Sequence, residues 1–427
     1  MEPLAIAGGR PVRDQREWAL WPQCDAGTET AVLTALRSAR WTVSWPAGDA
    51  PSTERRFARE FADYHGVPYA VAVDHGSSAL VVALEALDIG PGDEVVVPVM
   101  TWVATATAVL RVGALPVLAD VDPETGCLTA GTISAAIGDR TRAVVVVHLA
   151  CTVADLDAVR AVTAAAGVPL IEDCAQAHGA RWRGRLVGTF GALGTFSFQQ
   201  GKVLAAGEGG AVLTCDQRLF RRLQQLRADA RMYAPAPRRG AMEIVEVGEV
   251  TGGNYCMSEL HAAILRDQLP RLDLQHDHRE KLAQELERAL AELGGFRGIP
   301  VPDGCDRRSI YEFGIRFEPG TFGATPASQV GRALSAELRR PVYPPDVPLH
   351  RSILFRPETK RRFAVAWDAG GRDRAVGRDY PGAERYHATT LLLHHSALLG
   401  RSDDVADIVA ALDKVRRHRD RLRTIEA

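Results

Sequence analysis

A single lysine joins an aromatic strand to a glycine-rich turn in the stretch Thr195-Phe-Ser-Phe-Gln-Gln-Gly-Lys202-Val-Leu-Ala-Ala-Gly-Glu-Gly-Gly210. Upstream, the apolar run Val168-Pro-Leu-Ile-Glu172 predicts a second strand, and Asp173 follows it directly. Open α/β sheets bind their ligands at the C-terminal ends of strands, so Lys202 and Asp173 are both expected at such a position. The amine and the carboxylate are therefore predicted to face one ligand.

From about residue 65 to 215, short runs rich in Val, Leu and Ile alternate with longer helical patterns. Strands that are buried on both faces have this continuous apolar character, which is typical of a largely parallel sheet. A helical pattern then covers 258–293, and the run 308–317 alternates like a half-buried strand. We predict an α/β fold with two domains, a ligand-binding large domain with an N-terminal arm over 1–270 and a smaller α+β domain over 271–427.

The composition argues against several classes of protein. The chain has 427 residues and a net charge of -2, so its charge does not favour nucleic acid or an anionic membrane as a partner. Seven cysteines without a Cys-x-x-Cys pair indicate no disulfide framework, and Cys174 and Cys215 are expected to be buried thiols. His178 and the pair His394-His395 lack a second ligand at helical spacing, so no metal is predicted. No apolar run is long enough to cross a bilayer and no secretory signal is visible, so a cytoplasmic protein is expected.

An amine with a nearby carboxylate is the pair of groups that pyridoxal 5′-phosphate (PLP) requires. The amine forms an imine with the aldehyde of the cofactor, and the carboxylate keeps the pyridine nitrogen protonated. We therefore interpret Lys202 and Asp173 as the two catalytic residues of a PLP site. For Asp173 alone, an N-cap of a following helix is the simpler alternative, and the presence of Lys202 favours the cofactor role.

Two further residues are candidates for the ring of the cofactor. Gln176 lies three residues after Asp173, so a short helical turn would bring its amide to the phenolic oxygen of PLP. The alternative is an amide at the protein surface. Trp102 lies just past a predicted strand and either stacks on the pyridine ring or packs in the core.

The candidates for the phosphate group lie in two segments. Gly76-Ser-Ser78 follows a strand and opens a helix, where free backbone N–H groups attract a phosphate and the hydroxyls of Ser77 and Ser78 add donors. Ser197, five residues before Lys202, is a further phosphate ligand or an ordinary serine at the edge of the sheet.

Taken together, the motifs resemble the DegT/StrS-type PLP aminotransferases, which have the aspartate aminotransferase fold known as fold type I. The runs Ser-Phe-x-x-x-Lys-x-x-x-x-Gly-Glu-Gly-Gly and Glu-Asp-x-Ala-Gln-Ala-His-Gly-Ala carry this resemblance, which extends over nearly the whole chain. Weaker matches occur in the right order at 8–13, 77–80, 120–125 and 254–259. One branch of the family has His in place of the lysine and dehydrates deoxysugars, so Lys202 indicates the aminotransferase side.

The resemblance implies a role for each candidate residue and a homodimer with shared active sites. Lys202 would bind PLP, Asp173 would contact its ring nitrogen, Gln176 would face its 3′-oxygen and Trp102 would stack on its ring. The remaining residues implied to bind the phosphate are Ser77, Ser78 and Ser197, with Asn254 reaching the cofactor of the neighbouring subunit.

The segments 197–204, 254–259 and Arg40-Trp-Thr-Val-Ser44 are most similar to an aminocyclitol subgroup of this family. Its members aminate scyllo-inosose or 2-deoxy-scyllo-inosose with L-glutamine in aminoglycoside antibiotic biosynthesis. The implied function is a two-step transfer of an amino group from an amino acid, expected to be L-glutamine, to a small cyclic ketone. Ping-pong kinetics follow from such a scheme.

This sequence departs from the subgroup at two positions expected near the substrate. Ala150 stands where relatives have an aromatic residue, and Trp45 stands where relatives have a small one. The alternatives for the acceptor are therefore a nucleotide-linked keto-sugar and an aminohydroxybenzoate precursor. A non-catalytic regulator and a dehydratase are the alternatives of another class. For the α-carboxylate of the donor, Arg231 is the candidate.

Overall fold

The central feature of the fold is a seven-stranded sheet. The computed structural model describes residues 2–422 except 49, 237 and 368–378. In chain order the strands of this sheet are β1 (Tyr69–Val73), β2 (Glu94–Pro98), β3 (Leu115–Ala119), β4 (Thr141–Val147), β5 (Leu170–Asp173), β8 (Leu193–Ser197) and β9 (Gly210–Thr214). Their spatial order is β1-β9-β8-β5-β4-β2-β3, and only β9 runs antiparallel to its neighbours. The predicted α/β fold with a mostly parallel sheet is confirmed.

The strands form because nearly every residue in them is apolar and buried on both faces. Helices connect β2 to β3, β3 to β4 and β4 to β5, whereas the segment 174–192 between the parallel strands β5 and β8 contains no α-helix. The helices of this region are α1 (Ala26–Arg37), α2 (Thr53–His65), α3 (Gly76–Ala86), α4 (Ala104–Arg111), α5 (Ala130–Ala136), α6 (Leu156–Ala165), α7 (Gln217–Arg227) and α8 (Glu259–Gln268). Two small sheets lie beside the main one, formed by β6 (Arg181–Trp182), β7 (Arg185–Leu186) and β13 (Cys305–Arg307), and by β10 (Arg231–Tyr233) and β11 (Ile244–Glu246).

The C-terminal part has a four-stranded antiparallel sheet in the order β12-β14-β16-β15. Its strands are β12 (Phe296–Gly298), β14 (Glu312–Phe317), β15 (Val342–Tyr343) and β16 (Thr390–His394). Its helices are α9 (Leu272–Leu293), α10 (Ala327–Leu338), α11 (Arg361–Ala366), α12 (Pro381–Ala388), α13 (Ser402–Arg417) and α14 (Arg419–Leu422). The helical pattern predicted over 258–293 is present and is interrupted by a 3-10 turn at Leu269–Arg271, which contains Pro270.

The N-terminal arm packs on this C-terminal part. The buried guanidinium of Arg13 donates to Asp404 at 2.6 Å and to Asp407 at 3.0 Å. The backbone N–H of Ala5 donates to Glu337 at 2.8 Å. The arm therefore connects the N-terminal and C-terminal ends of the chain. The predicted domain boundary between residues 270 and 271 stays a prediction.

Two expectations from the composition have direct counterparts in the structure. None of the seven cysteines forms a disulfide; Cys174 is buried as predicted, but Cys215 is exposed, because β9 ends one residue earlier. Among the described residues, no helix combines the length and the apolar character that crossing a bilayer requires.

Candidate active site

A cavity of about 450 Å³ opens where β1, β2, β5 and β8 end. The chain segments that follow these four strands supply most of one side of its wall, as expected for an open α/β sheet. The other side comes from β14 and from the segment after β15 in the C-terminal part. The cavity therefore lies between the two predicted domains.

Lys202 reaches this cavity from the turn that follows β8. Its backbone N–H donates to the carbonyl of Gln199 at 2.8 Å, and its amine lies 4.0 Å from the centre of the Tyr311 ring. Desolvation of the amine lowers the pKa of Lys202, although the carboxylates of Glu312 and Asp173 act in the opposite direction. A lower pKa leaves more of the amine unprotonated, which is the form that attacks an aldehyde.

Asp173 is the last residue of β5, and its carboxylate lies in the same cavity. One oxygen accepts a hydrogen bond from the Thr105 hydroxyl at 3.0 Å, and the other accepts from the backbone N–H of Ala175 at 3.1 Å. No helix begins after Asp173, so the N-cap interpretation is wrong. Burial raises the pKa of Asp173, against the effect of these bonds and of Lys202. A cation placed against this carboxylate would favour its ionised form.

Gln176 and Trp102 also line the cavity. The carbonyl oxygen of Gln176 accepts from the backbone N–H of Ala150 at 2.7 Å, which leaves its NH₂ group as the part that can donate to a ligand oxygen. Trp102 is 52% exposed, so the interpretation as a core residue is wrong. Its indole is available for stacking on a flat ring.

The predicted phosphate segments meet at one end of the cavity. Helix α3 begins at Gly76, and its N-cap His75 makes no side-chain capping bond, so the first N–H groups of the helix are available to an anion. A Cβ at Gly76 would lie 2.5 Å from the Cβ of Ser197, so only glycine allows this close approach. Ser77 and Ser197 line the cavity, whereas Ser78 is buried in α3 and does not.

Four residues discussed from the sequence do not line this cavity. Asn254 is exposed, forms an isolated bridge with Ala228 and does not line the cavity of its own chain. Ala150 is 1% exposed and does not line the cavity, but its backbone bonds to Gln176, Tyr311 and Glu312, which do. Trp45 does not line the cavity of its own chain, and the expectation that both positions lie near the substrate stays a prediction. Arg231 does not line it either, and its guanidinium donates to Ala228 and Asp229.

Sequence reasoning missed the part of the wall that comes from the C-terminal region. The cavity is also lined by Tyr311, Glu312, Tyr343 and Asp346. In the sequence these residues lie more than a hundred positions after Lys202. The one signal in the sequence was Glu312, a charged residue inside the run 308–317 that was predicted as a half-buried strand. In the structure Glu312 is the first residue of β14 and is only 8% exposed.

A cluster with metal-ligand composition, His148, Glu172 and Cys174, lies buried behind Asp173. The carboxylate of Glu172 accepts three backbone N–H bonds, at 2.8 Å from Gly188, 2.7 Å from Phe190 and 2.8 Å from Gly191. Its remaining contact is the ring of His148 at 3.4 Å. Glu172 therefore has partners without a metal and holds the loop after β7 against β5.

The arrangement has counterparts in known proteins. The model of the DegT/DnrJ/EryC1/StrS aminotransferase family matches residues 28–413. The chain is 47% identical over 421 residues to an L-glutamine:2-deoxy-scyllo-inosose aminotransferase of Streptomyces fradiae, covering 98% of each chain. It is 43% identical to an L-glutamine:scyllo-inosose aminotransferase of Streptomyces griseus, covering 96% of this chain and 97% of that one.

Among solved structures, a 3-amino-5-hydroxybenzoic acid synthase superposes with a TM-score of 0.79 at 30% identity, covering 93% of this chain and 98% of that one. The family match extends over most of the chain, and the cavity contains the lysine and the aspartate that the resemblance implied. The chain is an enzyme, an aminotransferase, and it belongs to the DegT/DnrJ/EryC1/StrS aminotransferase family.

Proposed function

We propose that the protein uses PLP to transfer the amino group of L-glutamine to a keto-cyclitol of the scyllo-inosose type. The observation that carries the chemistry is the convergence of Lys202, Asp173 and the open N-terminus of α3 in one cavity. The full-length similarity to L-glutamine:2-deoxy-scyllo-inosose and L-glutamine:scyllo-inosose aminotransferases supports the substrates.

The residues present fit PLP along its whole length. The amine of Lys202 would hold the aldehyde end, Asp173 the ring nitrogen, Gln176 the phenolic oxygen, and Ser77 and Ser197 the phosphate beside the close approach at Gly76. The bound cofactor would supply an electron sink for the bond that breaks at the donor's Cα. The amine of Lys202 lies in this cavity and would be the group that takes the Cα proton of the donor.

We further propose that the active unit is a homodimer. Asn254 is exposed and does not line the cavity of its own chain, which supports a contact with the neighbouring subunit's cofactor. The exposed indoles of Trp41 (53%) and Trp45 (57%) lie near this region in the fold, since Thr42 bridges to Ser258. Large exposed aromatic side chains are typical of an interface.

One experiment distinguishes the candidate acceptors. The enzyme, loaded with PLP, is incubated with L-glutamine and in turn with scyllo-inosose, 2-deoxy-scyllo-inosose, a nucleotide-linked keto-hexose and an aminohydroxybenzoate precursor ketone. Mass spectrometry is expected to detect an amine only from the two cyclitols. Amination of the nucleotide-linked sugar alone would replace the cyclitol assignment, and loss of water without amine transfer would indicate a dehydratase.

A further inference from the structure

The wall of the cavity that comes from the C-terminal part carries two carboxylates, those of Glu312 and Asp346. We call Glu312, Tyr343 and Asp346 the acidic wall; all three line the cavity that contains Lys202. No arginine is among the described residues that line this cavity, and Lys202 is the lysine there. A ligand that approaches the acidic wall therefore finds negative charge and no cation other than the amine that would be engaged by the cofactor.

Glu312 is the member of the acidic wall with a fixed orientation. It is the first residue of β14 and is 8% exposed, and its backbone N–H donates to the carbonyl of Ala150 at 3.3 Å. The hydroxyl of Tyr343 donates to its Oε1 at 2.5 Å. In the part of the chain that the structure describes, no other side chain is hydrogen-bonded to this carboxylate, so Oε2 remains available as an acceptor.

Glu312 also lies at the right place for the side chain of an amino donor. Glu312 lines the same cavity as Lys202, and its carboxylate is the charged group that most strongly raises the pKa of that amine. The carboxylate therefore lies close to the reacting end of the cavity. Burial raises the pKa of Glu312 to about 7, so this carboxyl group is ionised in about half of the molecules at pH 7 and in most of them above pH 8. The repulsion of a second carboxylate acts in the ionised form.

This inference rests on the proposed function and identifies its source of donor selectivity. L-Glutamine and L-glutamate share an α-ammonium and an α-carboxylate and differ only at the end of the side chain. The amide of glutamine has two N–H donors for the acidic wall, whereas the carboxylate of glutamate has none and carries a like charge. We propose that Glu312, oriented by Tyr343, is the residue that selects the uncharged amide donor over the carboxylate donor.

The same wall is compatible with the second half-reaction. A cyclitol ketone presents ring hydroxyls, which donate to a carboxylate as an amide does. The amino donor and the ketone acceptor would therefore meet the same requirement. Each must present an O–H or N–H group, and no negative charge, to the acidic wall. A wall of this kind serves both molecules in turn without rearrangement.

The test is the first half-reaction, which needs no acceptor. The PLP-loaded enzyme is mixed with L-glutamine or L-glutamate, the absorbance change of the cofactor is followed, and kcat and KM are obtained for each donor. The wild type is expected to prefer glutamine. In Glu312→Gln the neutral amide removes the repulsion of glutamate and can donate to it, so the ratio of kcat/KM for glutamine over glutamate should fall at least about tenfold.

Two variants make the result specific. Tyr343→Phe keeps the carboxylate but removes its orienting hydrogen bond, so the ratio should fall in the same direction by a smaller factor. Glu318→Gln changes an exposed carboxylate directly after β14 that does not line the cavity, so it should leave the ratio near the wild-type value. An unchanged ratio in Glu312→Gln, an equal fall in Glu318→Gln, or a wild type without donor preference would overturn the assignment.

Failure of the proposed function has a separate signature. If the wild-type cofactor does not respond to glutamine at all, the reaction assignment fails before any variant is compared. If it responds to both donors equally, the aminotransferase assignment stands and only the selective role of Glu312 is lost.

Discussion

The hydroxyl of Thr105 donates a hydrogen bond to the carboxylate of Asp173 at 3.0 Å, and the Thr101 hydroxyl lies 3.0 Å from that of Thr105. Thr105 is buried in α4, and Asp173 ends β5, so this bond connects two neighbouring elements at the floor of the cavity. It fixes the direction in which the carboxylate faces.

Asp173→Asn is expected to retain PLP and to lose at least about a hundredfold in kcat, because an amide does not stabilise a protonated pyridine nitrogen. Thr105→Val keeps the carboxylate and removes one hydrogen bond to it, so a loss of about tenfold is expected. The half-reaction with L-glutamine measures both, and the absorbance of the protein checks that PLP is bound. Near wild-type rates in Asp173→Asn would return this residue to a structural role.

Gly76→Ala tests the phosphate end of the cavity. The new methyl group would lie 2.5 Å from the Cβ of Ser197, so α3 must shift away from β8, and the affinity for PLP should fall about tenfold or more. Gly131→Ala in α5 is the matched control, because its methyl group would meet its nearest neighbour at 3.7 Å. Fluorescence titration with PLP compares the two variants. Equal affinities would show that the approach of Gly76 to Ser197 does not shape the site.

The sequence predicted the half of the site that follows the strands of the main sheet. Asp173, Gln176 and Lys202 lie close to strand ends, and the topology of a parallel sheet brings such ends together. Glu312 and Tyr343 were missed because they reach the cavity from a second sheet. A strand that alternates between two faces does not indicate which distant element its polar residue faces.

Trp102 and Ala150 show why particular side chains escape such reasoning. A tryptophan near a strand end has the same local pattern whether it is buried or exposed, and in the structure this indole is 52% exposed and lines the cavity. The side chain of Ala150 does not line the cavity, but its backbone has a φ of 55° and bonds to Gln176 and Tyr311, which do. Its contribution to the site is made through the backbone, which the residue type does not encode.

Buried histidines should make the fold sensitive to mild acid. Burial lowers the pKa of His65 to about 4 and that of His178 to about 3, from an ordinary value near 6.5. Between the pKa of the folded and that of the unfolded state, the unfolded chain binds more protons than the folded one. The contribution of these histidines to the free energy of unfolding is therefore fully present above pH 6.5 and is lost as the pH falls towards 4.

At pH 5 each of these two histidines should cost about 2 kcal/mol of unfolding free energy relative to pH 7. Urea unfolding at both pH values measures this loss. In His65→Gln the difference between pH 7 and pH 5 is expected to shrink by about the same amount, since the ring Nδ1 that bonds to the Phe61 carbonyl is replaced by an amide that does not titrate. An unchanged difference would mean that His65 is protonated in the folded protein.

The last prediction concerns the shared active site. Lys202→Ala and Asn254→Ala are each expected to be inactive or nearly so, the first because the amine is lost and the second because the neighbouring cofactor loses its phosphate contact. In a hybrid dimer, the subunit with Asn254→Ala keeps Lys202 and receives the intact Asn254 of its partner, so one of the two sites is complete. Random exchange after equal mixing should therefore restore about a quarter of the wild-type activity. Each variant carried through the same exchange alone provides the control, and sedimentation measures the dimer. If Asn254 served the cavity of its own chain, both sites of every hybrid would stay defective and mixing would restore nothing.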